Sequence, residues 1–378
     1  MLQNKIYQNF IREILKTFLV ILFGLSVIAW TVRAVNFLDL IVENGYSIMT
    51  YFQYSFLNLF GIMTKFIPLS FLLSLMIFII KQLRENEFVI LWTSGVKKLK
   101  IVNLFFIVSM FIFIFYICFS TFITPFALNK SRILLSKDGY NSFLPTIRIQ
   151  KFSDSFEGFT FIVDKKFKNQ IKNVFIHDES NTLKNLTSES SENRSTTIIA
   201  QEGVVEEKRM LLFDGKIIFS NKEKFENNVV KFSQLNIDLR DLKTSTIKNP
   251  KLQETLTVDL IKCVFGSLEK KILNCKERNK NEIITTLNRR LVLPLYIPVV
   301  ALICSFLLIK TRTTNNYFLN KNTIFIFGFL ILLYAELVIR FTGTSKLIGS
   351  LFLITPILLM PTIYIALMFN LSHESLKK

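Results

Sequence analysis

The sequence predicts an α-helical membrane protein with six transmembrane helices and an all-β domain inserted between the third and the fourth. Three observations predict it. Of 378 residues, 51% are hydrophobic and the mean hydropathy is +0.41, a value that soluble domains rarely reach. Apolar runs long enough to span a bilayer recur six times, three before and three after a polar middle. That middle changes from helical spacing to short runs rich in β-branched and aromatic residues.

A span needs about 20 mainly apolar residues. The first covers residues 14–35, ILKTFLVILFGLSVIAWTVRAV. It has no small-x-small site at its end, where the bulky Trp30 stands, so it reads as an uncleaved span rather than a signal peptide. The second covers 57–80 and the third 101–124. The last three cover 291–309, 323–341 and 347–369. The domain boundaries expected from this pattern are 1–127, 128–255 and 256–378.

Lys and Arg in the short loops set the orientation. Lys5, Arg12 and Lys16 precede the first span, and Lys81, Arg84, Lys97, Lys98 and Lys100 follow the second. Lys310, Arg312 and Lys321 follow the fourth, and Lys377 and Lys378 end the chain. With six spans all of these fall on one side. The opposite short loop, NFLDLIVENGYS, has Asp39 and Glu43 and no Lys or Arg. Both termini and the 81–100 segment are therefore expected in the cytoplasm, and the polar middle outside it. The net charge of +18 is accounted for by these loops, so no nucleic-acid partner is inferred from it.

In the middle, PTIRIQKF, GFTFIVD, IKNVFIHD, STTIIAQEG and NNVVKFSQLNIDL read as strands. MLLFDGKIIF places Asp214-Gly215 between two apolar runs, the signal of a tight hairpin. Strands in succession without helices between them fit a sandwich, a jelly roll or a barrel. Residues 256–288 return to helical spacing, with Val258, Ile261, Val264, Phe265 and Leu268 on one face.

Enzyme chemistry finds little support. The chain has no GxxxxGK[ST] loop for a nucleotide phosphate, no HExxH, no GxSxG and no histidine beside a candidate nucleophile. Its two histidines, His177 and His373, are far apart, and its four cysteines have no zinc spacing. Cys118 and Cys304 lie in apolar runs, whereas Cys263 and Cys275 lie in polar sequence and could pair. No cofactor or metal is expected.

Two features remain. KQLRENEFVILWTSGVKKLK, residues 81–100, is too patterned for a plain loop. Its Phe88, Leu91 and Trp92, beside Glu87 and closed by Ser94-Gly95, fit a short helix at about 84–96 that docks into a groove on a cytoplasmic partner. A solvated basic loop on the membrane surface is the alternative. Intramembrane charge is the second feature, because it is expensive. Glu336 and Arg340 stand four apart on one helix face and could pair. Arg33, Lys65 and Arg340 fall toward the outer ends of their spans, where they could snorkel or contact an anionic lipid headgroup.

RENEFVILWTSGVKKLKI, LNRRLVLPLYIPVVAL, and IIAQEGVVEE followed by LLFDGKIIF, in this order and with six spans, resemble the lipopolysaccharide-export permeases LptF and LptG (the YjgP/YjgQ family) over nearly the whole chain. The first stretch resembles the family's coupling helix at Glu87, Leu91, Ser94 and Gly95, with Trp92 where the family often has a smaller residue. The second resembles the start of its fourth span, at Arg289, Arg290 and Pro294. The resemblance implies a jelly-roll-like periplasmic β domain in a multi-pass inner-membrane protein. It also implies a heterodimer with a paralogous permease, driven by a dimer of a cytoplasmic ABC ATPase that uses the ATP. Lipopolysaccharide would be the cargo, passed to periplasmic jelly-roll proteins of a bridge. Two other readings fit the residues: a membrane-anchored sensor or scaffold with a ligand-binding β domain, and an exporter subunit for another cargo.

Overall fold

The computed structural model describes residues 2–42, 47–139, 149–156, 159–167, 169–179, 194–206, 209–221, 227–238, 251–265, 277–309 and 320–376. In chain order the helices are α1 (Leu2–Asn36), α2 (Asp39–Val42), α3 (Ile48–Arg84), α4 (Glu87–Thr93), α5 (Lys98–Cys118) and α6 (Thr124–Gly139). Strands β1 (Ser153–Phe156), β2 (Phe159–Phe167), β3 (Gln170–Asp178), β4 (Arg194–Val205), β5 (Arg209–Asn221) and β6 (Asn227–Asp238) follow. Then come α7 (Thr257–Phe265), α8 (Glu277–Leu291), α9 (Tyr296–Ser305), α10 (Lys321–Val338) and α11 (Lys346–Leu376). Six stretches are long and apolar enough to cross a membrane: Lys5–Asn36, Ile48–Arg84, Lys98–Leu135, Lys280–Ile309, Lys321–Phe341 and Lys346–Leu371. They match the six runs read from the sequence, lengthened by a few residues or more at their ends.

The chain forms two compact units, one of Met1–Thr31, Asn58–Leu128 and Lys251–Lys378, the other of Val32–Leu57 and Asn129–Pro250. In the helical unit α9 is the centre. All ten of its residues are buried, and it packs against α5, α10 and α11. Leu72, Phe71, Leu75 and Phe78 of α3 and Phe105 of α5 share this core. Buried serines hold their hydroxyls against their own helix: Ser74 donates to Phe71 O, Ser109 to Phe106 O and Ser305 to Ala301 O. Small residues of this kind let transmembrane helices approach closely.

Prolines shape this unit, and at three of them a hydroxyl meets the carbonyl that the proline frees. A proline lacks an N–H, so the carbonyl four residues before it loses its helical donor. In an apolar interior that carbonyl must be satisfied from elsewhere. Pro125 frees Thr121 O, at the π-helical turn Phe119–Ile123 that joins α5 to α6, and Thr257 Oγ donates to it at 3.3 Å. Pro294 frees Arg290 O, and Ser120 Oγ donates to it at 3.2 Å. Pro356 lies inside α11 and frees Phe352 O, which accepts from Tyr296 Oη at 3.1 Å and Thr355 Oγ at 3.2 Å.

In the sheet unit six strands pair antiparallel in chain order, β1 to β6. One face is buried along β2–β6, with Phe161, Ile176, Ile198 and Leu212 at most 1% exposed. Among the described residues its core cluster consists of residues of this sheet. Two strand expectations need correction. Of PTIRIQKF, residues 145–148 lie outside those described, and Ile149 forms only an isolated bridge to Val163. Asp214-Gly215 is no hairpin turn, since β5 runs through it from Arg209 to Asn221.

Cys263 is disulfide-bonded; Cys275 and the basic loop 310–319 lie outside the described residues.

Thr257→Val removes the donor to Thr121 O and an acceptor of Arg290, and is expected to destabilise the helical unit by about 1–3 kcal/mol. Unfolding of the purified chain in lipid nanodiscs measures it, with Thr257→Ser recovering the loss. A valine variant as stable as the parent contradicts this role.

Candidate functional site: an outward helix and the charges within the spans

Within the 81–100 segment a short helix, α4 (Glu87–Thr93), stands between the end of α3 and the start of α5. Asn86, at φ 58, turns the chain out of α3 and into α4, a conformation that asparagine tolerates better than most residues. The far end is closed by Gly95 at φ 90. Gly95 N–H donates to Trp92 O at 3.2 Å and Val96 N–H to Leu91 O at 3.0 Å. That pair of bonds is the Schellman cap, which favours glycine at its left-handed position, and the buried Val96 supplies its apolar contact.

The apolar side chains of α4 do not all face outward. Phe88 is 0% exposed and sits edge-on to Phe10 and Phe78, at ring separations of 6.0 and 6.3 Å. Trp92 stacks on Phe88 at 6.0 Å, and the Lys98 ammonium lies 4.6 Å over the indole. Leu91 packs on the same core. Three of the sequence-predicted anchors, Phe88, Leu91 and Trp92, therefore fasten α4 to its own bundle. The outward face carries Glu87, Thr93, Ser94 and Gly95, with Val89 43% and Ile90 64% exposed. Sequence spacing could not separate the two faces, because VILW offers apolar side chains on every side of one turn. The end of α3 before it is fixed as well, since Glu13 of α1 takes an ion pair from Lys81 and a hydrogen bond from Gln82 at 3.2 Å.

The charges within the spans are arranged differently from the expectation. Glu336 of α10 pairs with Arg289 of α8, Nη2 to Oε1 at 2.7 Å, rather than with Arg340 one turn on. Arg340 is exposed in the 3₁₀ turn that ends α10. Lys65 is exposed on α3 and Arg33 on the last turns of α1. Arg290, named in the sequence only as part of a resemblance, is 5% exposed. Its guanidinium donates to the carbonyls of Leu252, Gln253 and Thr255 at 3.2, 3.1 and 2.9 Å, and to Thr257 Oγ at 2.8 Å. A buried cation is tolerated when its donors are satisfied, and here backbone carbonyls satisfy them. Arg290 thus clamps the segment before α7 to the start of the fourth span. The signal that could have found it is its place four residues ahead of Pro294.

Among the described residues no group of His, Cys, Asp and Glu could hold a metal ion. The chain matches the family model described as lipopolysaccharide export system permease LptF/LptG over residues 9–373. No curated protein matches it significantly.

The two faces of α4 make opposite predictions. Phe88→Ala should destabilise the isolated chain by about 3–5 kcal/mol. Ile90→Ala, on the outer face, should change it by less than about 0.5 kcal/mol. Denaturation in nanodiscs reads both, and equal losses contradict the assignment of faces.

Proposed function

The chain belongs to the LptF/LptG family of lipopolysaccharide export permeases, and on that premise we propose how it is driven and where its cargo goes. It is a multi-pass inner-membrane transport subunit that works with a separate cytoplasmic ABC ATPase dimer. Alongside it stands a paralogous permease, and the two enclose a chamber for lipopolysaccharide. The ATPase uses ATP and grips this chain at α4, with Val89 and Ile90 as apolar contacts and Glu87, Thr93 and Ser94 around them. What carries this reading is the division of α4: Phe88 and Trp92 weld it to the bundle, while the adjacent Ile90 stays 64% exposed. A helix so held passes a push from outside directly to α1, α3 and α5.

Basic loops beside α4 support a cytoplasmic placement. The disulfide at Cys263 suits an oxidising compartment on the other side, which agrees with a periplasmic β domain. Arg33, Lys65 and Arg340 are the candidates for the cargo's anionic headgroup through charge-assisted contacts, and Glu336 serves to orient Arg289. Onward transfer uses the sheet edge. β6 is twelve residues long and stands last in the sheet order, so its outer edge can add a strand from a periplasmic jelly-roll protein.

Ile90→Asp and Glu87→Arg should each abolish co-purification of the ATPase through a tag on this chain, with the permease still folded in the membrane. Retention of the ATPase by both variants sinks the docking role and favours a sensor or scaffold that needs no motor.

A further inference from the structure

The end of the β2–β3 hairpin sets like charges against one another. Lys165 of β2 pairs directly opposite Lys172 of β3, and both are exposed. Cross-strand partners share a face, and like charges placed opposite one another destabilise a sheet. Glu202 of β4 reaches Lys172 at 3.0 Å.

The next residue, Lys166, lies on the other face. Its partner is Ile171, which is 1% exposed in the core of the sheet. Ile171 in turn opposes Gly203, and Gly203 opposes Leu212. A Cβ at Gly203 would lie 2.8 Å from Leu212 and 3.0 Å from Ile171, so this row is closely packed. Lys166 stands at the head of the row, where an apolar side chain is expected, and it is half-buried. That burial pushes its ammonium pKa down, because a charge against apolar surface is costly. Neither the like pair nor the half-buried cation serves the sheet's own stability.

The three lysines share one cavity. It holds about 330 Å³, and among the described residues Ile149, Lys165, Lys166, Phe167, Gln170 and Lys172 line it. Small-molecule sites usually hold roughly 300–1,000 Å³. The N–H of Gln150 donates to Val163 O at 2.8 Å and so keeps Ile149 beside β2. Ile149 is 50% and Phe167 74% exposed, so apolar surface stands open next to the cations. The nearby carboxylates of Asp164 and Glu202 do not line the cavity. Asp164 accepts from Gln150 and Asn173 at 3.0 and 3.3 Å instead.

We propose that this cavity binds the phosphate group of an anionic amphiphile, with Lys165, Lys166 and Lys172 on the phosphate and Ile149 and Phe167 against the adjoining apolar part. An anion among the lysines replaces their repulsion with charge-assisted hydrogen bonds. A phosphate monoester offers three acceptor oxygens, one for each ammonium, where a carboxylate offers two. A bare inorganic anion would gain nothing from Phe167 and Ile149. The site does not depend on the transport reading.

The test is lysine footprinting of the full-length protein in nanodiscs of zwitterionic lipid. Acetylation of each lysine is timed by mass spectrometry with dihexanoyl phosphatidic acid, dihexanoyl phosphatidylcholine, inorganic phosphate or a hexaglutamate peptide added at one concentration. Phosphatidic acid at saturation should slow Lys165, Lys166 and Lys172 about tenfold and leave the exposed Lys216 and Lys231 of the same sheet unchanged. Lys165→Gln with Lys172→Gln should remove most of the protection at Lys166, and undiminished protection there contradicts a shared ligand. No slowing at the three lysines of the parent chain, or equal slowing at Lys216 and Lys231, overturns the site. Equal protection by phosphatidylcholine or by inorganic phosphate overturns it too, since then either the charge or the apolar contact does not count. Protection by hexaglutamate and not by phosphatidic acid overturns it in favour of an acidic protein partner. These comparisons use the parent chain, so misfolding of the variant would not obscure the answer.

Discussion

The constraint on which the rest of this structure depends is that no backbone carbonyl can stay unpaired in an apolar interior. At Pro125, Pro294 and Pro356 the helical unit satisfies what the proline releases. Thr257, Ser120, Tyr296 and Thr355 each donate a hydroxyl hydrogen to a carbonyl that a proline has freed. Arg290 does the same for a segment without helical pairing of its own. These bonds join the turn after α5 to α7 and α8, and α9 to α11, at fixed points.

α4 is attached to that bundle by packing instead. Phe88 is enclosed by Phe10 and Phe78, Trp92 lies on Phe88, and a left-handed residue closes each end of the helix. A helix of seven residues would be marginal in water without such support. The sheet unit works by a different rule. Its strands pair antiparallel in chain order, with one line of omitted pairs across β2–β6.

Much of this was legible in the sequence. The six spans follow from run length, the β domain from strand spacing, and the short helix α4 from an apolar pattern between basic flanks. What was not legible has a common cause. Phe88 and Ile90 have the same hydropathic character, and only tertiary packing decides which of them is buried. Glu336 is four residues from Arg340 and 47 from Arg289, so local spacing favoured the wrong partner. Asp214-Gly215 has hairpin chemistry, and the same left-handed preference serves equally well for a crease in a continuous strand.

The central claim, that a cytoplasmic motor acts on this chain through the outer face of α4, is tested most directly by photocrosslinking in native membranes. A photoreactive amino acid at Ile90 should yield an adduct with an ATPase subunit, and the same group at Phe88 should yield none. No adduct at position 90, or an adduct only with a protein outside the cytoplasm, would contradict the account.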